Sequence, residues 1–343
     1  MNLITPANRS QADCPTTKAA GAILPLARYR FTFRLHAPLR LPDYAGSLLR
    51  GQFGAALRRV ACMTDAPTCE GCPLRATCPY PAIFEAPAPA EHAMQNFSHV
   101  PNPYVVEPPA FGTRHIDAGG TLQFGLVLFG RAVAQLPLVS FALQRALEGG
   151  LGRERARGVL ERIEWQRTDD EPADPWRGTH TFIPVWQPGD AAIAVHDAQV
   201  APPTAATRPA PERLTLAIHT PMRLQQQGKP LRPAALTPRK LVADLLRRVS
   251  LLAEFHAGHP GLVADAPALV HHAEALAHQT ALRWQDWSRY SSRQQQEMTL
   301  GGAVGHWTLE GDLAPLLPWL WLGQWLHVGK NATMGMGGYA LQP

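Results

Sequence analysis

Alternation is cleanest near the start of the chain. From Arg28 to His36, Tyr29, Phe31, Phe33 and Leu35 fall on one side and Arg28, Arg30, Thr32, Arg34 and His36 on the other. Period two of this kind predicts a strand with one buried face and one basic face. The period then changes. Leu49, Phe53, Leu57 and Val60 are spaced for one face of a helix from about Tyr44 to Cys62, and Arg50 and Arg58 share another side of it. Thr121 to Phe129 reads as a strand, Pro137 to Glu148 as a helix and Val159 to Trp165 as a strand, with a turn rich in glycine and arginine (Gly149, Gly150, Gly152, Arg153, Arg155, Arg157, Gly158) before the last. Pro79 to Pro109 is dense in proline, which predicts irregular coverage rather than helix.

After a weakly periodic stretch the order starts again. Leu214 to His219 alternates, and Pro238 to about His256 is strongly amphipathic, with Leu241, Leu245, Val249 and Leu252 inward. Leu282 to Tyr290 and Met298 to Leu309 form a strand pair, and Leu313 to Leu326 is an apolar helix. Each half therefore reads strand, helix, strand or strands, helix, glycine-rich turn, strand. That order is the ferredoxin-like layout, and the fold class expected is α+β with two such domains in tandem. The expected divisions are a head at 1–24, a first domain at 25–205 carrying an insertion at 62–84, and a second at 206–343 with a glycine-rich loop at 329–338.

Composition narrows the partners. A hydrophobic share of 45% with 17% charged residues describes a soluble globular chain, and a formal charge of +5 suits a polyanion. No secretory leader is evident in the polar first residues, and the apolar run 313–326 is too short to span a bilayer. A cytoplasmic location without membrane attachment is expected. Cys62, Cys69, Cys72 and Cys78 are spaced C-x6-C-x2-C-x5-C within the insertion. In a reducing compartment such spacing fits a metal better than disulfides: structural zinc first, an iron–sulfur cluster second.

The stretch Gly329 to Tyr339 puts four glycines and one lysine into eleven residues with no acid. Free backbone N–H groups beside Lys330 would favour an anion such as phosphate. It is not a nucleotide P-loop, because the lysine precedes most of the glycines.

Leu48-Leu49-Arg50-Gly51-Gln52-Phe53-Gly54, the cysteine cluster ending Cys78-Pro79-Tyr80-Pro81, Arg289-Tyr290-Ser291-Ser292-Arg293-Gln294, and Leu326-His327-Val328-Gly329-Lys330 through Gly337 together resemble the CRISPR-associated RAMP-superfamily endoribonucleases that process precursor CRISPR RNA. The resemblance implies two ferredoxin-like domains that bind a repeat-derived RNA hairpin and cut it without metal. In that reaction the 2′-hydroxyl attacks the adjacent phosphate and leaves a 2′,3′-cyclic phosphate. It implies CRISPR repeat RNA and other effector-complex subunits as partners.

Such chemistry needs a base, an acid and a cation. The family often places a histidine on or near the first helix, but none occurs between Tyr44 and Cys62. His36, Tyr44 and His327 are therefore the candidates for proton transfer. Arg50, Arg58, Arg153, Arg155, Arg289, Arg293, Gly329, Lys330, Gly335 and Gly337 are the candidates for RNA contact. Two other readings stand beside the nuclease: a non-catalytic subunit that binds guide RNA, and a zinc-containing nucleic-acid-binding regulator.

Overall fold

A computed structural model describes residues 22–87, 89, 100–112, 114–167, 181–204, 207–291 and 296–342. The first half runs β1 (Leu24–Leu35), β2 (Leu39–Leu41), α1 (Gly46–Ala61), α2 (Pro79–Phe84), β3 (Tyr104–Glu107), β4 (Arg114–Ile116), β5 (Thr121–Phe129), α3 (Leu136–Gly149), β6 (Gly158–Gln166), β7 (Phe182–Trp186) and β8 (Gln199–Val200). The second runs β9 (Arg213–Met222), β10 (Gln225–Gln226), β11 (Lys229–Pro230), α4 (Pro238–Ala257), α5 (Ala266–His272), β12 (Ala277–Ser291), β13 (Gln296–Glu310), α6 (Leu317–Leu326) and β14 (Tyr339–Gln342).

The two principal sheets are antiparallel and share one strand order. The first is β3-β5-β1-β6 with β7 added at its edge, and the second is β12-β13-β9-β14. In each, the opening strand lies between the third and the last, as the ferredoxin-like layout requires. The alternation read from Tyr29 to Leu35 is the cause in the first half, for those residues are fully buried under α1 and α3. Burying each such side chain contributes about 1.5–3 kcal/mol.

Leu24, Leu26, Val105, Val127 and Phe129 of the first half belong to the core beneath α4 and α6. The halves are thus joined by continuous apolar packing. Residue contacts reinforce the seam: Gly130, at φ 59, lies against the His256 carbonyl, and Arg131 Nη2 donates to Phe255 O at 2.6 Å.

Two departures from the sequence reading have simple causes. The segment from Pro79 was expected to avoid helix, yet α2 forms there because Pro79 stands in the first turn, where no donor is lost. The apolar helix begins at Leu317 rather than Leu313, again with a proline in its first turn. The strand pair is longer than read. β12 and β13 stay in register for 15 residues each, but β9 pairs β13 only as far as Ala303, so the far part of the hairpin projects as a two-stranded arm. Among the described residues no helix is long and apolar enough to cross a membrane.

Candidate functional site

The loop after α6 begins at His327, which has a left-handed φ of 57 although it is not glycine. Such a conformation costs about 1–3 kcal/mol unless its surroundings hold it. They do. Both ring nitrogens of the buried imidazole face acceptors: Nδ1 lies 3.1 and 3.2 Å from the carbonyls of Gly335 and Met336, and Nε2 lies 3.2 Å from Glu107 Oε1.

Glu107 ends β3 and also receives Arg28 of β1, whose Nε lies 2.9 Å from Oε2. The rest of the guanidinium is used: Nη1 donates to Gln166 Oε1 at 2.9 Å, Nη2 to Gln324 O at 2.8 Å, and its plane lies 4.7 Å from the Trp325 ring centroid. Burial alone would raise the Glu107 carboxyl, but Arg28 and His327 outweigh it and hold it down to about 2. The triad ties the first sheet, α6 and the loop together.

The loop backbone is not the open anion nest expected of it. The N–H groups of Lys330, Met334, Gly335 and Gly337 donate to the carbonyls of Arg223, Asn331, Ala332 and Pro221, and that of Gly338 to Thr220 Oγ1 at 2.7 Å. The glycines serve close packing instead. Gly335, at φ 89, has Val106 O 2.5 Å from where a Cβ would stand, and Gly337, at φ 75, lies against the Val328 carbonyl. Gly329 takes φ 91 where the loop leaves the helix. Any anion held here must be met by side chains, and Lys330 presents an exposed one.

The predicted residues divide clearly. Tyr44 and Arg50 reach the loop: Tyr44 Oη donates to Met334 O at 2.9 Å, and Arg50 Nε to Thr333 Oγ1 at 3.2 Å while its guanidinium lies 4.4 Å from the Phe84 ring centroid. Tyr44 is buried against Trp287, and desolvation followed by the charge of Glu107 drives its hydroxyl pKa above the ordinary range. His36 does not join them. It is exposed at the far end of β1, eight residues from Arg28, about 26 Å along an extended strand. Arg153 and Arg155 are exposed on the α3–β6 turn, where Arg155 Nη2 donates to Gly149 O at 3.0 Å. Arg58 turns inward to the Ala66 and Pro67 carbonyls and braces the insertion. Arg289 pairs with Met298 in the projecting arm, and Arg293 lies outside the described residues.

Cys62, Cys69, Cys72 and Cys78 line one cavity of about 170 Å³, and Thr64 Oγ1 lies 3.8 Å from the Cys62 sulfur and 3.5 Å from that of Cys72. The thiols do not converge further. Among the described residues no group of three or more histidines, cysteines or acids is placed to hold a metal ion, so the expected four-thiolate zinc or iron–sulfur centre gains no support.

Three site residues escaped the sequence reading. Arg28 was seen only as part of a basic strand face, and Glu107 stood in a stretch judged irregular. His219, in the second half of β9, has its ring 6.5 Å from that of His327 and lies against Gly338. It keeps solvent exposure, yet desolvation and then the neighbouring His327 lower its pKa to about 4.

Residues 24–198 match the AF_1859_N family, an N-terminal domain, and residues 216–339 match the family of CRISPR-associated endoribonuclease Cas6. An uncharacterized protein of Archaeoglobus fulgidus is 30% identical over 123 residues, 36% of this chain, and the match spans 41% of that relative's length. A Cas6 product complex superposes over 92% of this chain and 100% of its own with TM-score 0.56 at 18% identity. Thermus thermophilus Cas6 covers 94% of this chain and 100% of its own, with TM-score 0.51 at 18% identity. A partial Cas6-RT-Cas1–Cas2 complex matches 94% of this chain and 47% of its own, with TM-score 0.53 at 15% identity. At these identities the structural likeness is one of fold. Over its first half the chain belongs to the family defined by the AF_1859_N domain, and its second half is similar to the CRISPR-associated endoribonuclease Cas6 family.

Proposed function

We propose that this chain binds a CRISPR repeat hairpin across its two ferredoxin-like domains, divided near residue 206, and cleaves it once beside the glycine loop. The observation that carries the reading is the loop itself. It is pinned to the first sheet through His327 and Glu107 and to α1 through Tyr44, with the cations Arg50 and Lys330 at its sides. A repeat-RNA strand laid there has its scissile phosphate between both halves.

The reaction is an in-line attack by the ribose 2′-hydroxyl on the adjacent phosphorus. The P–O5′ bond breaks, a 2′,3′-cyclic phosphate forms, and the proton taken from the 2′-hydroxyl is matched by one given to the 5′-oxygen. His219 is unprotonated at neutral pH and lies exposed against the loop, where it can take the 2′-hydroxyl proton. Lys330 and Arg50 offset the charge on the phosphorane. His327 and Tyr44 position the loop. No step requires a metal, and the cut guide passes to an effector complex.

A second reading, a guide-binding subunit without catalysis, has one observation in its favour: Tyr44 and His327 are both buried in structural hydrogen bonds. One experiment separates the two. Purified protein is incubated with repeat RNA of its own genome in EDTA, and product ends are analysed. A single cut with a 2′,3′-cyclic phosphate establishes the nuclease; bound but intact RNA establishes the subunit.

A further inference from the structure

Between β9 and α4 the chain makes a small hairpin whose function the site above does not use. Gln225 pairs Pro230 and Gln226 pairs Lys229, and the ladder continues with Leu231 N–H donating to Leu224 O at 2.9 Å. One step further along, that register sets Arg223 opposite Arg232. Like charges facing each other across an antiparallel ladder are destabilising.

Both guanidinium groups are nevertheless held in place by neutral partners. Arg223 Nη1 donates to Gly301 O at 2.9 Å, and the Arg232 guanidinium stacks over Trp284 at 4.1 Å from the ring centroid. Trp284 and Gly301 both belong to the β12–β13 hairpin, where Trp284 Nε1 donates to Asp286 Oδ1 at 2.6 Å. A Cβ at Gly301 would stand 2.6 Å from that indole nitrogen, so the glycine is what lets the ring lie there. Neither arginine forms an ion pair among the described residues. Desolvation and then the charge of Arg232 lower the Arg223 pKa, with the Asp286 carboxylate acting in the opposite sense.

Arg223 also touches the loop directly through its backbone. Arg223 O accepts from Lys330 N–H at 2.9 Å and packs against Gly329. Since the loop spends most of its own N–H groups internally, these side chains supply the positive charge on this side of it. We infer that Arg223 and Arg232 clamp one backbone phosphodiester of the RNA where the strand passes from the β12–β13 hairpin onto the glycine loop. The anion between them relieves the repulsion that the empty hairpin carries. This rests on the repeat-RNA reading above and names two contacts that reading does not contain.

The test measures binding of the genome's own repeat RNA in EDTA by the full chain, from about 50 to about 200 mM salt, beside a DNA duplex of equal length. Arg223→Gln/Arg232→Gln is expected to weaken repeat binding about tenfold at low salt and to make the slope of log Kd against log salt shallower by about 0.7, one phosphate's share on a single strand. Arg232→Lys keeps the slope and loses part of the affinity, because lysine keeps the charge without the planar fork. The Tm of Arg232→Gln without RNA should equal or exceed that of wild type. A lower Tm would overturn the argument from repulsion. A double variant with unchanged affinity and slope, in a protein that binds the repeat well, overturns the clamp alone. Wild type binding the repeat no better than the duplex overturns the repeat-RNA reading and the clamp with it.

Discussion

His327 Nε2 lies 3.2 Å from Glu107 Oε1, and that contact joins residues 220 positions apart in the chain. One belongs to the loop that closes the second sheet; the other ends a strand of the first. Because Arg28 meets the same carboxylate, removing the acid strands two donors at once.

Glu107→Ala is therefore expected to destabilise the protein by about 2–3 kcal/mol, below the range for a fully enclosed pair because Glu107 retains some solvent access. Glu107→Gln should cost less, since its amide oxygen still accepts. Urea unfolding of both variants measures the difference. A Glu107→Ala protein as stable as wild type would show that the triad contributes nothing. The same carboxyl sets an acid limit: its pKa falls from 4.5 in the open chain to about 2 when folded, so its contribution is whole above pH 4.5 and is lost between there and pH 2.

Histidine protonation acts earlier on acidification. His256 is buried, donates through Nε2 to Pro101 O at 2.9 Å, leaves Nδ1 without a partner among the described residues, and has its pKa lowered by desolvation to about 4. Between pH 6.5 and 4 the unfolded chain binds more protons than the folded one at this site, so stability falls as pH falls through that window. The loss amounts to about 2–3 kcal/mol at most. His256→Gln keeps a donor without the titration, and its urea midpoint should change less than that of wild type from pH 7 to about pH 4. Parallel pH profiles would refute the assignment.

Two glycines of α1 should respond in opposite directions to alanine. A methyl at Gly46 strikes the Met334 carbonyl and lies 2.9 Å from the Tyr44 ring, whereas nothing lies within 4 Å of one at Gly51. Gly51→Ala should stabilise by about 0.5–1 kcal/mol through helix propensity alone. Gly46→Ala should lower Tm and RNA cleavage together, because it pushes the loop from the helix. Calorimetry and a cleavage assay on both variants decide it; equal Tm shifts would mean that α1 does not bear on the loop.

The backbone plan was legible because it rests on local periodicity. Tyr29 to Leu35 and Leu241 to Leu252 carry their own periods, and the repeated element order follows from them. The site was legible only where chemistry and position coincide along the chain, as at Lys330 and Arg50. Glu107 and Arg28 meet through strand order and sheet packing, which no local pattern encodes. His36 shows the converse. It follows directly after Leu35, the last residue of β1, and a strand of that length carries it away from the end where Arg28 enters the site.

His219 and His36 offer the sharpest contrast in function. His219→Ala should slow single-turnover cleavage of repeat RNA by at least about 100-fold, the scale of a lost general base, and leave RNA affinity unchanged. His36→Ala should retain the wild-type rate. Since the His219 pKa is lowered to about 4, the base is already unprotonated at neutral pH, and the rate should be level there and decline only as pH approaches 4. Added imidazole should restore part of the lost rate in His219→Ala, which a merely structural role would not allow. A His219→Ala enzyme that cuts normally, beside a His36→Ala enzyme that does not, would move the scissile phosphate to the opposite end of β1.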